Sequence, residues 1–527
     1  MDKISRFLKS HLNHQSSAYT SGAHTPMPAI PTNTPFPTST DLYRHRKQRG
    51  VNLGSWFVLE RWIAESPFRS AASPAQSDLD VARGADAKAV LEHHWDTWIS
   101  ESDWAWIVER GINTVRIPIG YYHLCGADSS VLQGTDFADL GHVFAGAWTR
   151  ITNAIATANR YGLGVLIDLH AAPGKQNADS HSGTSLDPTF FANPHNMRHT
   201  THILSVLLLH LTAFTHSQNP PLPNLVGIEL LNEPQPQSRH HALQRWYVDT
   251  FRAMRTIDPA IPLYIGDVWM TDQYTDFLSG AAVDFVVLDH HLYRCFTPED
   301  SSTPVTEHAR ALTDPNAWAP QMFARVSQKL QGAGCGLVVG EWSGGLNPGS
   351  LHGVDEDQGR RDYLHAQLQL YDRWCAGWFF WTYKKESGDK GWSFRDAVGA
   401  GVFPAWVGMR ANNSVKDDPM RVNRRDSARD KALGEHTSFW SQYPGNYEHW
   451  RFSEGFLRGW EDAWIFFAQA SQQYATSVPE LGFKGPWAKR RAQDHAATKG
   501  NANLWEFEHG LAQGVDAARA DFAEVYC

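Results

Sequence analysis

Residues 144–170 read FAGAWTRITNAIATANRYGLGVLIDLH, and this stretch decides the fold. Phe144, Trp148, Ile151 and Ile155 recur at i, i+4, i+7 and i+11, which puts them on one face of a helix. Gly162 stops that helix, and Gly164–His170 follows as a nearly unbroken apolar run. A strand that is apolar on both faces belongs to a parallel sheet covered by helices. The same unit recurs along the chain. The runs Val51–Phe57, Thr114–Ile119, Gly164–His170, Leu225–Leu231, Pro262–Asp267, Asp284–Tyr293, Gly336–Trp342 and Gly377–Tyr383 alternate with helix-period segments, among them Leu243, Trp246, Tyr247, Phe251 and Met254. Eight β/α units in succession predict an α/β fold, a (β/α)8 TIM barrel, over residues 42–405.

Outside that rhythm the chain changes character. Residues 1–41 read as a disordered N-terminal segment. Ile4, Phe7, Leu8 and Leu12 mark one face of a short basic helix, and TPMPAIPTNTPFPTSTD follows as a Ser/Thr/Pro-rich linker. Residues 406–527 read as a helical C-terminal extension packed on the barrel. It opens with a charged, Asn-rich stretch near 411–435 that reads as an exposed loop, and the basic cluster Lys489-Arg490-Arg491 reads as a solvated loop. It also holds a repeat: Trp450-x-Phe452-x-x-Gly455-x-x-x-Gly459 matches Trp505-x-Phe507-x-x-Gly510-x-x-x-Gly514. Glycines four apart on a helix permit close helix contact.

The composition narrows the function. Apolar residues make up 42% of the 527 residues, enough for a large core, and charged residues 20%, which excludes global disorder. A net charge of −9 argues against nucleic acid as a partner. No apolar run reaches the roughly 18 residues of a membrane span, and the N-terminus lacks the apolar core of a secretory signal. Five cysteines, never in a CxxC pattern, suit a reducing compartment, so a cytoplasmic location is expected. The 22 Trp exceed what a core needs; flat rings that stack on sugar faces are one use for them.

In such a barrel the active site lies where the strands end. Those ends deliver Glu60, Arg116, Asp168-Leu169-His170, Leu231-Asn232-Glu233-Pro234, His290-His291-Leu292-Tyr293, Gly340-Glu341-Trp342 and Trp381 to one mouth. Glu233 and Glu341 follow strands that lie roughly across the barrel, so the two can flank one sugar. Two carboxyls about 5–5.5 Å apart make a retaining glycosidase, one as nucleophile and one as acid/base. For that chemistry Glu233 has to be protonated near neutral pH and Glu341 ionised.

Several segments carry a resemblance. RGVNLGSWFVLE (49–60), GINTVRIPIGY (111–121), DLHAAPGKQN (168–177), LNEP (231–234), DHHLYRCF (289–296), GEWS (340–343) and GWFFWTYKKE (377–386) resemble glycoside hydrolase family 5, close to its fungal exo-β-1,3-glucanase (glucan 1,3-β-glucosidase) group. The resemblance implies Glu233 as acid/base and Glu341 as nucleophile, with no cofactor and no metal. It implies Asn232 on the sugar 2-OH, Arg116 and Tyr293 on the nucleophile, and His170 and His291 shaping the subsite of the cleaved glucose. Glu60 would take the distal hydroxyls of the terminal sugar, Trp381 would be the stacking floor, and Phe296 half of an aromatic clamp on the leaving-group side. The other half is missing, because the matching stretch reads Asn177-Ala178-Asp179-Ser180-His181. The absent secretory signal and the helical tail point to an intracellular branch of that group.

The expected activity is therefore release of glucose from the non-reducing end of β-1,3-linked glucans, by a monomer. The alternative is an intracellular β-glucosidase on steryl, sphingolipid or phenolic glucosides. A catalytically silent carbohydrate-binding protein is a third reading that both glutamates disfavour. His195, His199 and His202 have helical metal-site spacing, but no carboxylate or Cys completes the set. Asp168 and Asp267 read as structural, and Asn412-Asn413-Ser414 is a glycosylation sequon left unused without secretion.

Overall fold

A computed structural model of the chain describes residues 35–411, 418–469 and 476–527. The N-terminal helix expected around Ile4–Leu12, most of the linker and the 412–414 sequon lie outside the described residues.

Eight parallel strands close into a barrel in sequential order. They are β1 Gln48–Asn52, β2 Thr114–Gly120, β3 Gly164–Ala171, β4 Leu225–Glu229, β5 Leu263–Gly266, β6 Val286–Leu292, β7 Gly336–Trp342 and β8 Gly377–Phe380. Pairing of β1 with β8, Gly50 opposite Phe379, closes the ring. The first apolar run is displaced from its strand. β1 ends at Asn52, and Leu53–Leu59 form an irregular buried segment above it. The helix read around Trp148 spans Ala147–Arg160, and its buried face includes Ile151, Ile155 and Ala158.

The barrel interior is filled in two tiers. The lower tier is apolar: Leu166, Val226, Tyr264, Val287, Val338 and Phe379 from β3–β8 pack with Phe285 and Phe483. Phe483 comes from the C-terminal extension, so that extension plugs the floor of the barrel. Backbone bonds from Lys47 N–H to Glu480 O and from Gly482 N–H to His45 O hold it there. Lys47 immediately precedes β1, so the docking face is the one opposite the mouth. The upper tier is polar and is the candidate active site.

Three expectations for the flanking regions are corrected. The segment read as linker up to residue 41 is folded at its end: Ser39–His45 is a helix with a Thr38–Asp41 capping box, and the Phe36 ring lies 4.5 Å from that of Trp487. The supposed loop of 411–435 is helical from Arg421 to Trp440, held by Arg425 and Arg421 on Glu461. The basic cluster lies within the Lys484–Lys499 helix; Arg491 is buried and grips Asp462 at 2.7 Å, and Lys489 meets Glu508 at 2.7 Å. Charge density suggested solvent, but these charges are neutralised by partners distant in sequence.

The internal repeat builds a symmetric helix pair. Gly455 and Gly459 of the His449–Phe467 helix sit against the backbone carbonyls of Phe507 and Leu511, while Gly510 and Gly514 of the Leu504–Tyr526 helix sit against those of Phe452 and Phe456. The contacts rise together along both helices, so the two run parallel. Among the described residues no helix is long and apolar enough to cross a membrane.

Candidate active site

The site is built around Arg116, which is fully buried in β2. Each of its nitrogens is engaged. Nε donates to Glu229 Oε2 at 2.7 Å, Nη1 to Asn52 Oδ1 at 2.9 Å and Glu341 Oε1 at 3.0 Å, and Nη2 to Asn232 Oδ1 at 2.9 Å. Asp168 Oδ2 lies 3.1 Å from Nη2. Burial opposes its charge, but Asp168, Glu229 and Glu341 hold its pKa above the ordinary value. One guanidinium thus ties β1, β2, β3, β4 and β7 together beneath the mouth.

Glu341 ends β7 with both oxygens occupied. Arg116 donates to Oε1, and the Tyr293 hydroxyl donates to Oε2 at 3.0 Å. An ionised carboxylate satisfies both donors at full strength, so this arrangement favours the charged form. Burial, together with the charge of Glu233, pushes the group the other way, up to about 8, against the opposing charges of His291 and Arg116.

Glu233 sits in the turn after β4 with φ of +43°, a left-handed conformation that costs a non-glycine residue about 1–2 kcal/mol. The loop after β3 holds that turn. Asn177 Nδ2 donates to Glu233 O at 3.1 Å, and Gln235 N–H to Gln176 O at 3.1 Å. The Glu233 side chain meets His291 Nδ1 at 2.8 Å and lies 3.8 Å from His181 Nε2. Burial alone would raise its pKa, but His291, His181 and His170 pull it down to about 2. These charges disfavour the proton expected on Glu233, and the pKa of His291 stands well above normal because Glu341 and Asp289 outweigh its burial.

A register shift in the β6–β7 pairing sets this arrangement. It falls between His290 and His291 and brings His291 opposite Glu341. An oxygen of Glu233 and one of Glu341 lie within 4.8 Å of each other, with His291 between them. That close approach is nearer to the carboxyl spacing of retaining enzymes than to the wider one of inverting enzymes.

The remaining expected residues occupy a second ring. His170 is oriented by Asp168, 2.6 Å from its Nδ1, and approaches Asn232 Nδ2 at 3.4 Å. Trp381 lies parallel to the His170 ring, 5.7 Å away at 6°. Glu60 is buried, accepts from Trp62 Nε1 at 2.8 Å, and is pushed up to about 8 by burial and by the charges of Glu341, Glu233 and Asp179. Phe296 is exposed at the rim, 5.5 Å from the Tyr293 ring.

Sequence reasoning missed several members. Trp392 packs on Tyr293 at 5.4 Å and on Trp62 at 5.3 Å, and so braces the hydroxyl that serves Glu341. It lies in a loop after β8 that carries no local signal. Asn52, Glu229 and Asp289 were also missed; strand alternation could have found Asp289, two residues before His291 on the inner face. His181 lies in the stretch noted for its missing aromatic, where it meets Glu233. The His195, His199 and His202 set makes ordinary contacts: His199 bonds Val131 O and His202 bonds Ser130 Oγ, each at 2.9 Å. Asp267 is bonded to His290 at 2.6 Å.

Residues 82–387 match the family model described as cellulase (glycosyl hydrolase family 5), and residues 422–522 match that of the glucan 1,3-beta-glucosidase 3 C-terminal domain. Over 480 residues the chain is 30% identical to glucan 1,3-beta-glucosidase 3 of Schizosaccharomyces pombe, covering 89% of this chain and 95% of that one. It is 32% identical over 397 residues to a probable glucan 1,3-beta-glucosidase A of Aspergillus fumigatus, covering 68% of this chain and 87% of that one. Among solved structures, rutinosidase from Aspergillus niger superposes with a TM-score of 0.53 at 19% identity, over 68% of this chain and 98% of that one. At that identity the likeness speaks for the barrel alone.

Proposed function

The chain belongs to glycosyl hydrolase family 5 and is an O-glycosyl hydrolase, and on that premise we propose that it releases glucose from the non-reducing end of β-1,3-linked glucans with retention. The observation that carries this reading is the pair Glu233 and Glu341, whose oxygens approach within 4.8 Å. Glu341 attacks the anomeric carbon while Glu233 protonates the glycosidic oxygen. The leaving sugar departs, and Glu233 then draws a proton from water as that water opens the glucosyl–Glu341 ester.

The surrounding groups have matching tasks. Arg116 fixes the Asn232 amide by donating to its oxygen at 2.9 Å, which turns Nδ2 toward the sugar 2-OH. Tyr293 and Arg116 hold the nucleophile. Glu60, His170 and His291 take hydroxyls, Trp381 lies under the ring, and Phe296 guides the leaving chain. Asp179 and His181, within 4.8 Å of Glu233, make the leaving-group side polar, which favours a sugar there over a sterol or lipid. Residues 42–405 carry this chemistry, and 406–527 serve as a packed extension. The names of the two glucan 1,3-beta-glucosidase relatives support the linkage. The free thiols Cys125, Cys295, Cys335 and Cys375 support a reducing, cytoplasmic compartment, and the assembly proposed there is a monomer.

The test is glucose release over time from short β-1,3-linked glucose oligomers, with Glu341→Ala as blank. Single glucose units released with β configuration, and none from the variant, are expected. Release of longer fragments, or none from folded wild type, overturns the reading.

A further inference from the structure

Four groups of His, Asp and Glu side chains converge closely enough to hold a metal ion among the described residues. Three lie at the barrel mouth and are accounted for by sugar chemistry: Asp179/His181/Glu233, Glu229/Asp289/His291 and Glu233/His291/Glu341. The fourth, His436, His449 and Glu506, lies in the C-terminal extension, where no reaction accounts for it.

Its geometry is that of a ligand set. His436 Nε2 lies 3.0 Å and His449 Nδ1 2.8 Å from Glu506 Oε2. A tetrahedral ion with bonds of about 2.0–2.1 Å spaces its donors roughly 3.3 Å apart, so these atoms need to spread only slightly. The three come from separate helices, Arg421–Trp440, His449–Phe467 and Leu504–Tyr526.

Charge balance points the same way. The Glu506 side chain has no exposed surface, and the ion pairs it makes are with these two imidazoles, with no Lys or Arg among its described partners. Its other oxygen accepts the Glu448 N–H at 2.6 Å. Rings enclose the cluster: Phe452 stacks on His436 at 4.2 Å, and Tyr447 on His449 at 5.4 Å. A carboxylate buried among aromatics, even in the first turn of its helix with a backbone N–H on one oxygen, is favoured by a compensating positive charge. Neutral imidazoles supply hydrogen bonds but no charge; a divalent cation supplies it. Two imidazoles and one carboxylate suit zinc, while calcium and magnesium require more oxygens. His449 is 26% exposed, which leaves a path for the ion and for a solvent ligand.

We propose that His436, His449 and Glu506 form a zinc site that pins the three helices of the C-terminal extension together.

The test uses the full chain, with zinc alone as the probe. After zinc loading and desalting, mass-spectrometric metal analysis is expected to find equimolar zinc in wild type and in Glu341→Gln, which separates this site from the mouth. Glu506→Gln and His449→Gln are expected to lose it. A chelator should lower the thermal midpoint of wild type, and zinc, but not magnesium, should restore it. Should either variant fail to fold, cobalt titrated into wild type gives an independent readout, expected as the visible absorption of a four-coordinate ion that zinc displaces. Wild type that retains no zinc, variants that retain as much as wild type, or cobalt without such a spectrum overturns the proposal. So does a midpoint indifferent to the chelator that falls as pH rises through the imidazole range, because protons would then supply the charge.

Discussion

Nδ1 of His291 stands 2.8 Å from Oε1 of Glu233, joining the end of β6 to the turn after β4. His291 Nε2 also lies 3.5 Å from Asp289 Oδ2, so both ring nitrogens face acids, which favours the imidazolium. Acid catalysis requires that proton to cross to Glu233. Removing the cation in His291→Gln takes away the largest influence that lowers the Glu233 pKa and leaves only His181 and His170 against burial, so the carboxyl should titrate above about 2. Carbon NMR on the labelled side chain reads this directly; a carboxyl unmoved in the variant would remove His291 as the cause.

If Glu233 is the acid, its loss matters only where the leaving group needs a proton. Glu233→Ala should lose on the order of 10²–10⁴-fold on glucan oligomers, yet keep near-normal formation of the glucosyl enzyme from a dinitrophenyl glucoside. Glu341→Ala should fail on both. A burst of dinitrophenol from the first variant and none from the second distinguishes the roles.

Tyr293 donates to Glu341 at 3.0 Å, and Trp392 braces the Tyr293 ring. Tyr293→Phe should lower kcat/KM roughly 10–100-fold, since a hydrogen bond to a charged group contributes about 1.5–3 kcal/mol. Trp392→Ala should reduce activity in the same direction, by less, with the fold retained by circular dichroism. Full activity in Trp392→Ala would mean that the Tyr293 position does not depend on this ring.

In the helix pair, a Cβ on Gly459 would stand 2.1 Å from Leu511 O, and one on Gly510 would stand 2.0 Å from Phe452 O. Either alanine substitution has to push two backbones apart and should cost about 1–3 kcal/mol in chemical denaturation. Gly434, in an exposed helix with nothing within 4 Å, is the control, and alanine there should stabilise by up to about 1 kcal/mol.

Glu480 joins barrel and extension. Arg49 Nη2 of β1 lies 2.7 Å from its Oε1, and Arg519 of the last helix grips its other oxygen. Burial would raise its pKa, but Arg49, Arg519 and Lys47 hold it down to about 2 from 4.5. A depressed acid stabilises the fold above its unfolded value, and that contribution, about 3 kcal/mol, is lost as pH falls from about 4.5 to 2. Glu480→Gln should flatten the pH dependence of stability in that window. An unchanged slope would mean that other acids carry it.

The barrel was legible because it is written locally. The helix period of Trp148, Ile151 and Ile155 followed by the apolar run Gly164–His170 needs no distant contact to be recognised. LNEP and GEW likewise place Glu233 and Glu341 at strand ends, since a strand end is a local feature. The extension was legible only in part. Its glycine repeat disclosed a close helix pair, but the charged stretch near 411–435 and the cluster Lys489-Arg490-Arg491 were read as loops where helices Arg421–Trp440 and Lys484–Lys499 lie, because their charges are neutralised by Glu461, Asp462 and Glu508, which lie elsewhere in sequence.

By itself the sequence determined the succession of strands and helices and the residue types delivered to the mouth, both of which follow from the periodicity of apolar positions. Tertiary structure alone decided which acids and imidazoles face one another at that mouth. The shift in register at His291, the left-handed turn at Glu233 and the bracing of Tyr293 by Trp392 each depend on atoms a few ångströms apart in space and tens of residues apart in the chain. Electrostatic and hydrogen-bond energies vary steeply over such distances, and sequence spacing does not encode them.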